Sequence, residues 1–194
     1  MIQLYRNEVL LSRRCPLDIF YQIDSVILPQ RFTAGFTGPR AFKLFKGVEE
    51  CPECRRLKRT IRECILLLYE KGAEEFISGM ATGIDTFAAE AVLSLKAEGV
   101  PIKLTAAVAS PYQTENWKEK DVARFYGILN HADLQITVSR ARGPSAYKAR
   151  NEYIVKHSDV ILAFPAAAHR GGTLQTMNMA LRHNIPLLIC PVES

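Results

Sequence analysis

The chain has 194 residues, of which 48% are hydrophobic and 23% charged, a composition typical of one globular domain and unlike that of disordered or fibrous proteins. Its net charge of +5 mildly favours anionic ligands or nucleic acid as partners. No apolar run approaches the roughly 18 residues of a membrane span, and the opening segment mixes acidic with basic residues, which makes it a poor signal peptide. We therefore expect a cytoplasmic protein with no membrane partner.

From residue 31 onward, short apolar runs alternate with segments of helical spacing. We predict six strands, at 31–37, 75–78, 102–109, 134–138, 160–164 and 186–190. Apolar residues repeating every three or four positions predict helices between them. The clearest stripes are Leu57, Ile61, Cys64, Ile65 and Leu68; Ala88, Ala91, Val92 and Leu95; and Leu174, Met177 and Leu181. This alternation predicts an α/β fold of Rossmann-like, doubly wound type, with a mainly parallel sheet and helices on both faces.

The composition of individual strands predicts their positions in the sheet. The runs at 102–109 and 160–164 are apolar on both faces, as buried central strands must be, whereas the run at 134–138 alternates and indicates an edge strand. The first 30 residues do not follow the alternation of apolar runs and helical segments. We therefore predict an N-terminal arm over residues 1–30 and a single ligand-binding domain over residues 31–194.

Glycine-rich and polar segments follow the predicted strands at their carboxyl ends. They are TGPR (37–40), SGMATGID (78–85), SPYQTENW (110–117), SRARGPS (139–145) and RGGT (170–173). Ligands of open parallel sheets bind beyond these ends, although any one glycine could serve only a tight turn. We expect Gly38, Gly79, Ser110 and Gly172 to lie on one rim. Gly38, Arg40, Ser78 and Gly79 are candidate ligand-binding residues.

The segment RGGT has the clearest binding mechanism. Glycines let the backbone approach a ligand closely, and the first N–H groups of a helix attract an anion. We predict that Gly171, Gly172 and Thr173 form a phosphate cradle, with the Thr173 hydroxyl as a further donor or as a simple helix cap. Gly172 is expected to need a backbone angle forbidden to other residues or room against the ligand.

Two charged residues near the predicted rim have competing interpretations. Asp85 is a helix N-cap or an acceptor for a sugar hydroxyl. Arg150 shares the apolar helix face of Tyr147 and Ile154, so it extends to the sheet edge or points at an anion. We favour the ligand role for Arg150, flanked by Asn151. Replacement of Arg150 is then expected to weaken anion binding and to change stability little.

The loop after the third predicted strand supplies further candidates. Trp117 and Tyr112 are expected to begin the following helix, where they either stack on a base or pack half-buried. Gln113 is a candidate to contact a polar ligand edge. Cys51 and Cys54 form a lone C-x-x-C pair, which is a weak sign of zinc binding or of redox chemistry because no second pair or nearby histidine accompanies it. We predict no metal site.

The segments SGMATGID, SPYQTENW, ARNEYIVKHSDVILAF and GGTLQTMNMAL, in this order, resemble the SLOG superfamily, and more narrowly its YpsA-like branch of small bacterial proteins. The similarity covers about residues 31–190. The resemblance implies a Rossmann-like sheet whose glycine loops bind a nucleotide or a nucleotide-derived molecule such as an ADP-ribose-like ligand. No certain cofactor is implied.

Two relatives within the superfamily suggest different functions. The LOG phosphoribohydrolases carry P-G-G-x-G-T-x-x-E, but Thr176 stands here where they have the catalytic glutamate, and a threonine cannot act as a general acid or base near neutral pH. DNA-processing protein A shares a loop like SGMATGID and binds single-stranded DNA. We therefore favour a binding module, such as a sensor or regulatory protein, and leave catalytic residues unassigned.

Two alternative functions stay open. The first is an N-glycosidic hydrolase of nucleoside monophosphates that uses another carboxylate, Asp85 or Glu115. The second is single-stranded DNA binding. A homo-oligomer is compatible with each of them.

Overall fold

The computed structural model describes residues 22–166 and 171–192. Its centre is a six-stranded sheet in which all neighbouring strands are parallel, in the order β4-β3-β2-β1-β5-β6. This sheet confirms the predicted α/β fold, and its strands begin and end within about two residues of the predicted runs. The strands are β1 (Phe32–Thr37), β2 (Ala73–Ser78), β3 (Lys103–Val108), β4 (Leu134–Thr137), β5 (Val160–Ala163) and β6 (Leu187–Ile189).

Each of the first five strands leads into an α-helix. These helices are α1 (Pro52–Glu70), α2 (Ile84–Ala97), α3 (Glu119–Leu129), α4 (Pro144–Lys156) and α5 (Gly172–Arg182). Helices α1, α2 and α3 bury their apolar residues in a core on one face of the sheet, and α4 and α5 bury theirs on the other. Successive strand residues alternate between the two cores, as Phe76 and Ile77 do, because side chains along a strand point to opposite faces.

The positions of the strands agree with their composition. Strands β3 and β5 lie inside the sheet, and every residue from Val160 to Ala163 is buried. Strand β4 lies at one edge, and its first residue, Leu134, is exposed. The predicted difference between central and edge strands is therefore confirmed.

Helix α1 forms where its sequence predicts it. Pro52 occupies the first turn, where a missing N–H costs nothing. The whole predicted stripe from Leu57 to Leu68 is buried. The sequence therefore predicts this helix from two local features, a proline in the first turn and an unbroken apolar face.

The predicted stripe of helix α5 is partly wrong. Met177 is buried, but its buried neighbours are Thr176 and Ala180, whereas Leu174 and Leu181 are exposed. Leu181 follows Ala180 by one residue and therefore lies about 100° further round the helix. The two leucines thus lie together on one side of the face that contacts the sheet.

The predicted start of the helix after β3 is also wrong. Tyr112 and Trp117 lie in a series of turns, and helix α3 begins only at Glu119. The backbone N–H groups of Gln113, Glu115 and Trp117 each donate to the carbonyl three residues earlier. Hydrogen bonds between residues three apart close single turns, so the segment lacks the i to i−4 hydrogen bonds of an α-helix.

Residues 22–30 are the described part of the predicted N-terminal arm. The side-chain amide of Gln22 donates to the Ile189 carbonyl (3.1 Å) and accepts from the Ile189 N–H (2.7 Å). Ile23 is buried in the core beside α1. This part of the chain therefore pairs with the outer edge of β6, while residues 1–21 lie outside the described residues. Within the described ranges, none of the helices has the length and apolar character needed to cross a membrane.

Candidate functional site

The sheet has its topological switch point between β1 and β5. From β1 the chain builds β2, β3 and β4 outward on one side, then crosses to add β5 and β6 on the other. Ligands of open α/β sheets bind in the crevice beyond the carboxyl ends of the strands at such a point. Gly38, Gly79, Ser110 and Gly172 all follow the carboxyl ends of strands, so the predicted common rim is confirmed.

Three helices begin at this rim with a glycine as N-cap. Gly83, Gly143 and Gly171 cap α2, α4 and α5 with φ angles of 97°, 78° and 131°, and none of them provides a side-chain hydrogen bond. These positive angles favour glycine. The first N–H groups of a helix have no acceptor within it. In α2 the Ile84 N–H instead donates to the Pro39 carbonyl (3.2 Å), whereas α4 and α5 face the rim without a side-chain cap.

The turn at the start of α5 differs in detail from the prediction. Gly171, rather than Gly172, has the backbone angle that favours glycine. Gly172 is exposed, and no heavy atom of the described residues lies within 4 Å of the position that a Cβ would take. Thr173 is half-buried and makes no side-chain hydrogen bond to the described residues, and the cap is Gly171. The described part of the chain therefore leaves open space directly above Gly172.

The segment after β1 supplies two cations, one beside the start of α5 and one beside Tyr147. Lys43 ends the short 3-10 turn Ala41–Lys43, and its Nζ lies 3.3 Å from the position that a Cβ would take at Gly171. Arg40 places its guanidinium carbon 4.7 Å from the centre of the Tyr147 ring. Within residues 22–166 and 171–192, neither Lys43 nor Arg40 forms an ion pair. Lys43 was not predicted, because nothing in its local sequence separates it from a solvated lysine.

Arg150 has a partner that the sequence did not suggest. Its Nη1 lies 2.6 Å from the Oδ2 atom of Asp85, and the two side chains are 7% and 8% exposed. Asp85 also accepts from the N–H of Ala81 (3.3 Å) and is not the N-cap of α2, which is Gly83. The positive charge of Arg150 is thus neutralised inside the protein. Its Nε atom is buried without a hydrogen-bond partner among the described residues.

The loop after β2 is shaped around this ion pair. A Cβ on Gly79 would lie 1.3 Å from Arg150 Nη1, so only glycine leaves room for the guanidinium. The Gln113 amide donates to the carbonyls of Gly79 (3.3 Å) and Met80 (2.8 Å) and accepts from the Ala109 N–H (2.6 Å). Gln113 is buried and positions this loop, whereas the sequence suggested that it would contact a ligand.

Ser78 has a similar positioning role. Its hydroxyl donates to the Asp85 carbonyl (2.8 Å) and accepts from the Met80 N–H (3.1 Å), and the side chain is buried. Tyr147 was not predicted as a site residue. Its ring centre lies 6.0 Å from the Arg150 guanidinium carbon, with Arg40 also near it. Cation–π contacts of this kind link the switch point to the buried ion pair.

The remaining predicted residues lie apart from this group or carry other contacts. Trp117 is half-buried and packs edge-on against Phe125, with ring centres 5.6 Å apart, which agrees with the packing alternative. Asn151 is half-buried beside Arg150. Glu115 forms an ion pair with Arg142, so both carboxylates considered for catalysis are engaged by arginines.

A small cleft lies at the carboxyl ends of β3 and β4, away from the switch point. Its volume is about 130 Å³, and its lining includes Ser110, Phe125, Tyr126 and Thr137. Sites for drug-sized ligands are typically 300–1,000 Å³. This cleft is therefore smaller than a typical site for a nucleotide-sized ligand.

Sequence comparison identifies the relatives of this chain. The YpsA family model, described as the YspA SLOG family, matches residues 34–185. A UPF0398 protein of Staphylococcus saprophyticus is 31% identical over 134 residues, which cover 67% of this chain and 70% of the relative. A UPF0398 protein of Bacillus cereus is 33% identical over 133 residues, which cover 66% of this chain and 70% of the relative.

Comparison with solved structures gives the same architecture. DNA processing protein A from Helicobacter pylori, whose structure describes a single-stranded DNA binding mode, aligns with a TM-score of 0.55 at 17% identity. The alignment covers 82% of this chain and 65% of that chain, so this chain spans a little less than two thirds of that protein. At this identity the likeness shows the fold alone. By the family match over residues 34–185, the chain belongs to the YpsA family of SLOG proteins.

Proposed function

We propose that the protein binds a nucleotide or a nucleotide-derived molecule and holds its phosphate at the switch point between β1 and β5. The observation that carries this proposal is the meeting of Lys43 with the start of α5, where the N-cap Gly171 has no side chain to bond the first N–H groups. A cation beside the positive end of a helix is unfavourable unless an anion lies between them. A phosphate would accept hydrogen bonds from the helix N–H groups and from Lys43.

The surroundings of this position suit the rest of such a ligand. No heavy atom of the described residues lies within 4 Å of the Cβ position of Gly172, which leaves these residues clear of a ligand group at that position. Arg40 lies over the Tyr147 ring beside the rim, and side chains of both types stack well on bases. These features support a ligand with an aromatic base as well as a phosphate.

Binding without cleavage is the form of the function that we favour. Asp85 and Glu115 are each paired with an arginine. Thr176 is buried, and its hydroxyl donates to the Gly172 carbonyl at 3.0 Å. An N-glycosidic hydrolase needs carboxylates that are free to move protons or to stabilise an oxocarbenium ion. A protein that binds such a ligand and does not consume it fits a sensor or regulatory module.

Calorimetric titration with AMP and ADP-ribose tests the binding site. Gly172→Val should abolish binding because the new side chain fills the open space, and it should leave the fold intact. Gly127→Val is the matched control, since Gly127 is also a helical glycine and no described residue lies within 4 Å of its Cβ position, and this variant should bind normally. Lys43→Ala should weaken binding by about 1.5–3 kcal/mol, the range for a hydrogen bond to a charged group. Unchanged affinity in both Gly172→Val and Lys43→Ala would contradict the proposal.

Incubation with a panel of nucleoside monophosphates tests for hydrolysis. We expect no free base to be released. Release at ordinary enzyme rates, roughly 1 per second or faster, would replace the binding module with a hydrolase.

Single-stranded DNA binding is a second candidate, favoured by one exposed segment. Phe42 is 66% exposed, and Lys43 Nζ lies 5.8 Å from the centre of its ring. Exposed aromatic rings beside cations bind single strands by stacking and by phosphate contacts. Fluorescence anisotropy with a labelled oligothymidine should then show binding that weakens in high salt and in Phe42→Ala. A titration that shows no binding at low salt would exclude this candidate.

A further inference from the structure

Two cysteines lie at the start of helix α1 in a geometry that brings their side chains together. Cys51 is the N-cap and Cys54 lies in the first turn, with Pro52 between them, and both are free thiols. The Cys51 sulfur accepts a hydrogen bond from the Cys54 N–H at 3.4 Å. It therefore lies next to the residue that carries the second thiol. The N-cap and the third helical residue are also the positions whose side chains each reach the backbone N–H of the other residue in a capping box.

The two thiols differ in exposure. Cys51 is partly exposed, and its thiol donates to the Val48 carbonyl at 3.2 Å. Cys54 is only 1% exposed, and burial raises the pKa of its thiol. A reagent in solution can therefore reach Cys51, whereas Cys54 can react only with a group already bound beside it. Redox-active C-x-x-C pairs at helix N-termini depend on this division between an attacking and a resolving cysteine.

We propose that Cys51 and Cys54 are a reversible redox site, which closes to an intramolecular disulfide by exchange with a small-molecule disulfide. The Cys51 thiolate attacks one sulfur of that molecule, releases one small thiolate and becomes a mixed disulfide. The Cys54 thiolate then attacks the Cys51 sulfur and releases the second small thiolate. Two electrons pass to the small molecule, and the two released thiolates take up the two protons that the protein loses.

Other roles of this cysteine pair fit the structure less well. A structural zinc ion needs four ligands, and in the described ranges no three His, Cys, Asp or Glu side chains form a group that could hold a metal ion. A purely structural role would make the two thiols resemble Cys64, which is fully buried further along α1. Cys51 differs from Cys64 because it is accessible and adjoins a second cysteine.

The disulfide would alter the loop that carries Lys43. Oxidation removes the Cys51 S–H donor, so the Val48 carbonyl loses its side-chain hydrogen bond. The next residue, Glu49, accepts from Lys58 (2.9 Å) and Arg124 (2.8 Å) and anchors the end of this loop. The reduced and oxidised proteins should therefore differ in amide exchange over residues 44–51, and amide exchange in the sheet should not change.

Peptide mass spectrometry tests the proposal directly, because trypsin releases both cysteines in a single peptide, residues 47–55. After incubation with oxidised glutathione and alkylation, this peptide should lack both alkyl groups and weigh less than the reduced peptide by two hydrogen atoms. Dithiothreitol should restore both alkylation sites. A wild-type peptide that stays fully alkylated, or that retains glutathione on Cys51, would overturn the proposal.

Single cysteine variants test the two roles separately. Cys54→Ser should trap glutathione on Cys51, because no resolving thiol is present. Cys51→Ser should leave Cys54 as unreactive as Cys64, which serves as the internal control. Equal glutathione uptake by both variants would contradict the assignment of attacker and resolver, and it would do so without reference to any ligand at the switch point.

Discussion

Replacement of Arg150 separates a structural role from a binding role most clearly. Arg150→Ala removes one member of an ion pair whose side chains are 7% and 8% exposed and leaves Asp85 charged and buried. Breaking a buried pair by removing one partner costs about 3–5 kcal/mol. For a domain of this size, 1 kcal/mol shifts the melting midpoint by about 2–4 °C. The midpoint should therefore fall by roughly 6–20 °C.

Thermal unfolding followed by circular dichroism at neutral pH measures this change. Lys156→Ala is the matched control, because Lys156 lies on the same helix and pairs with Glu152 on the surface, and its midpoint should stay close to that of the wild type. Adding Asp85→Asn to Arg150→Ala should recover part of the loss, because it removes the unpaired buried charge.

The reasoning fails if the free energy of unfolding of Arg150→Ala lies within about 1 kcal/mol of that of the wild type. It also fails if adding Asp85→Asn to Arg150→Ala lowers the stability further. The sequence alone led to the opposite expectation, namely that Arg150→Ala would weaken ligand binding and change stability little. The contact with Asp85 is the reason for the difference.

Three further variants test other contacts. Gly79→Ala should push the Arg150 guanidinium away from Asp85 and so lower the free energy of unfolding of the wild type. The same change should lower the free energy of unfolding of Arg150→Ala very little. Urea unfolding of the wild type, the two single variants and the double variant will measure both differences. The pKa of Glu49 lies below its ordinary value of 4.5 because burial, which raises it, is outweighed by hydrogen bonds from its two cations; the wild type should therefore lose its advantage over Glu49→Gln as the pH falls from about 7 to about 3, which denaturant titrations across this range will measure. Gln22→Ala removes two hydrogen bonds to Ile189 and should cost about 1–3 kcal/mol, with faster amide exchange in β6 and unchanged exchange in β3.

The fold could be predicted because its signals are local. Val160 to Ala163 read as a buried strand from four consecutive apolar residues, and the stripe of α1 from Leu57 to Leu68 read as a helix face. Helix α5 was harder, because Thr176 and Ala180 carry its buried face and neither is a strong hydrophobic signal. The burial of a residue depends on the elements that pack against it, and the periodicity of large apolar residues predicts only part of this packing.

The candidate site could be predicted only as a set of loops. The strand order brings the segment after β1 against the turn before α5, so Lys43 meets Gly171 although 128 positions separate them in the sequence. Asp85 and Arg150 lie 65 positions apart, and their pairing depends on how the fold brings α4 to the start of α2, beside Gly79. Charges that meet across different crossover units leave no periodic pattern in the sequence.

The central position of β1 has a consequence for protein synthesis. This strand is made first and can pair with β2 soon afterwards, but its other edge pairs with β5. Thr33 donates its N–H to Asp159, which is 126 positions later in the chain. At about 5–20 residues per second, the ribosome leaves that edge without its partner for roughly 6–25 s. Since an open strand edge recruits other strands, the nascent chain, rather than the finished protein, is the form most exposed to aggregation and most dependent on chaperones.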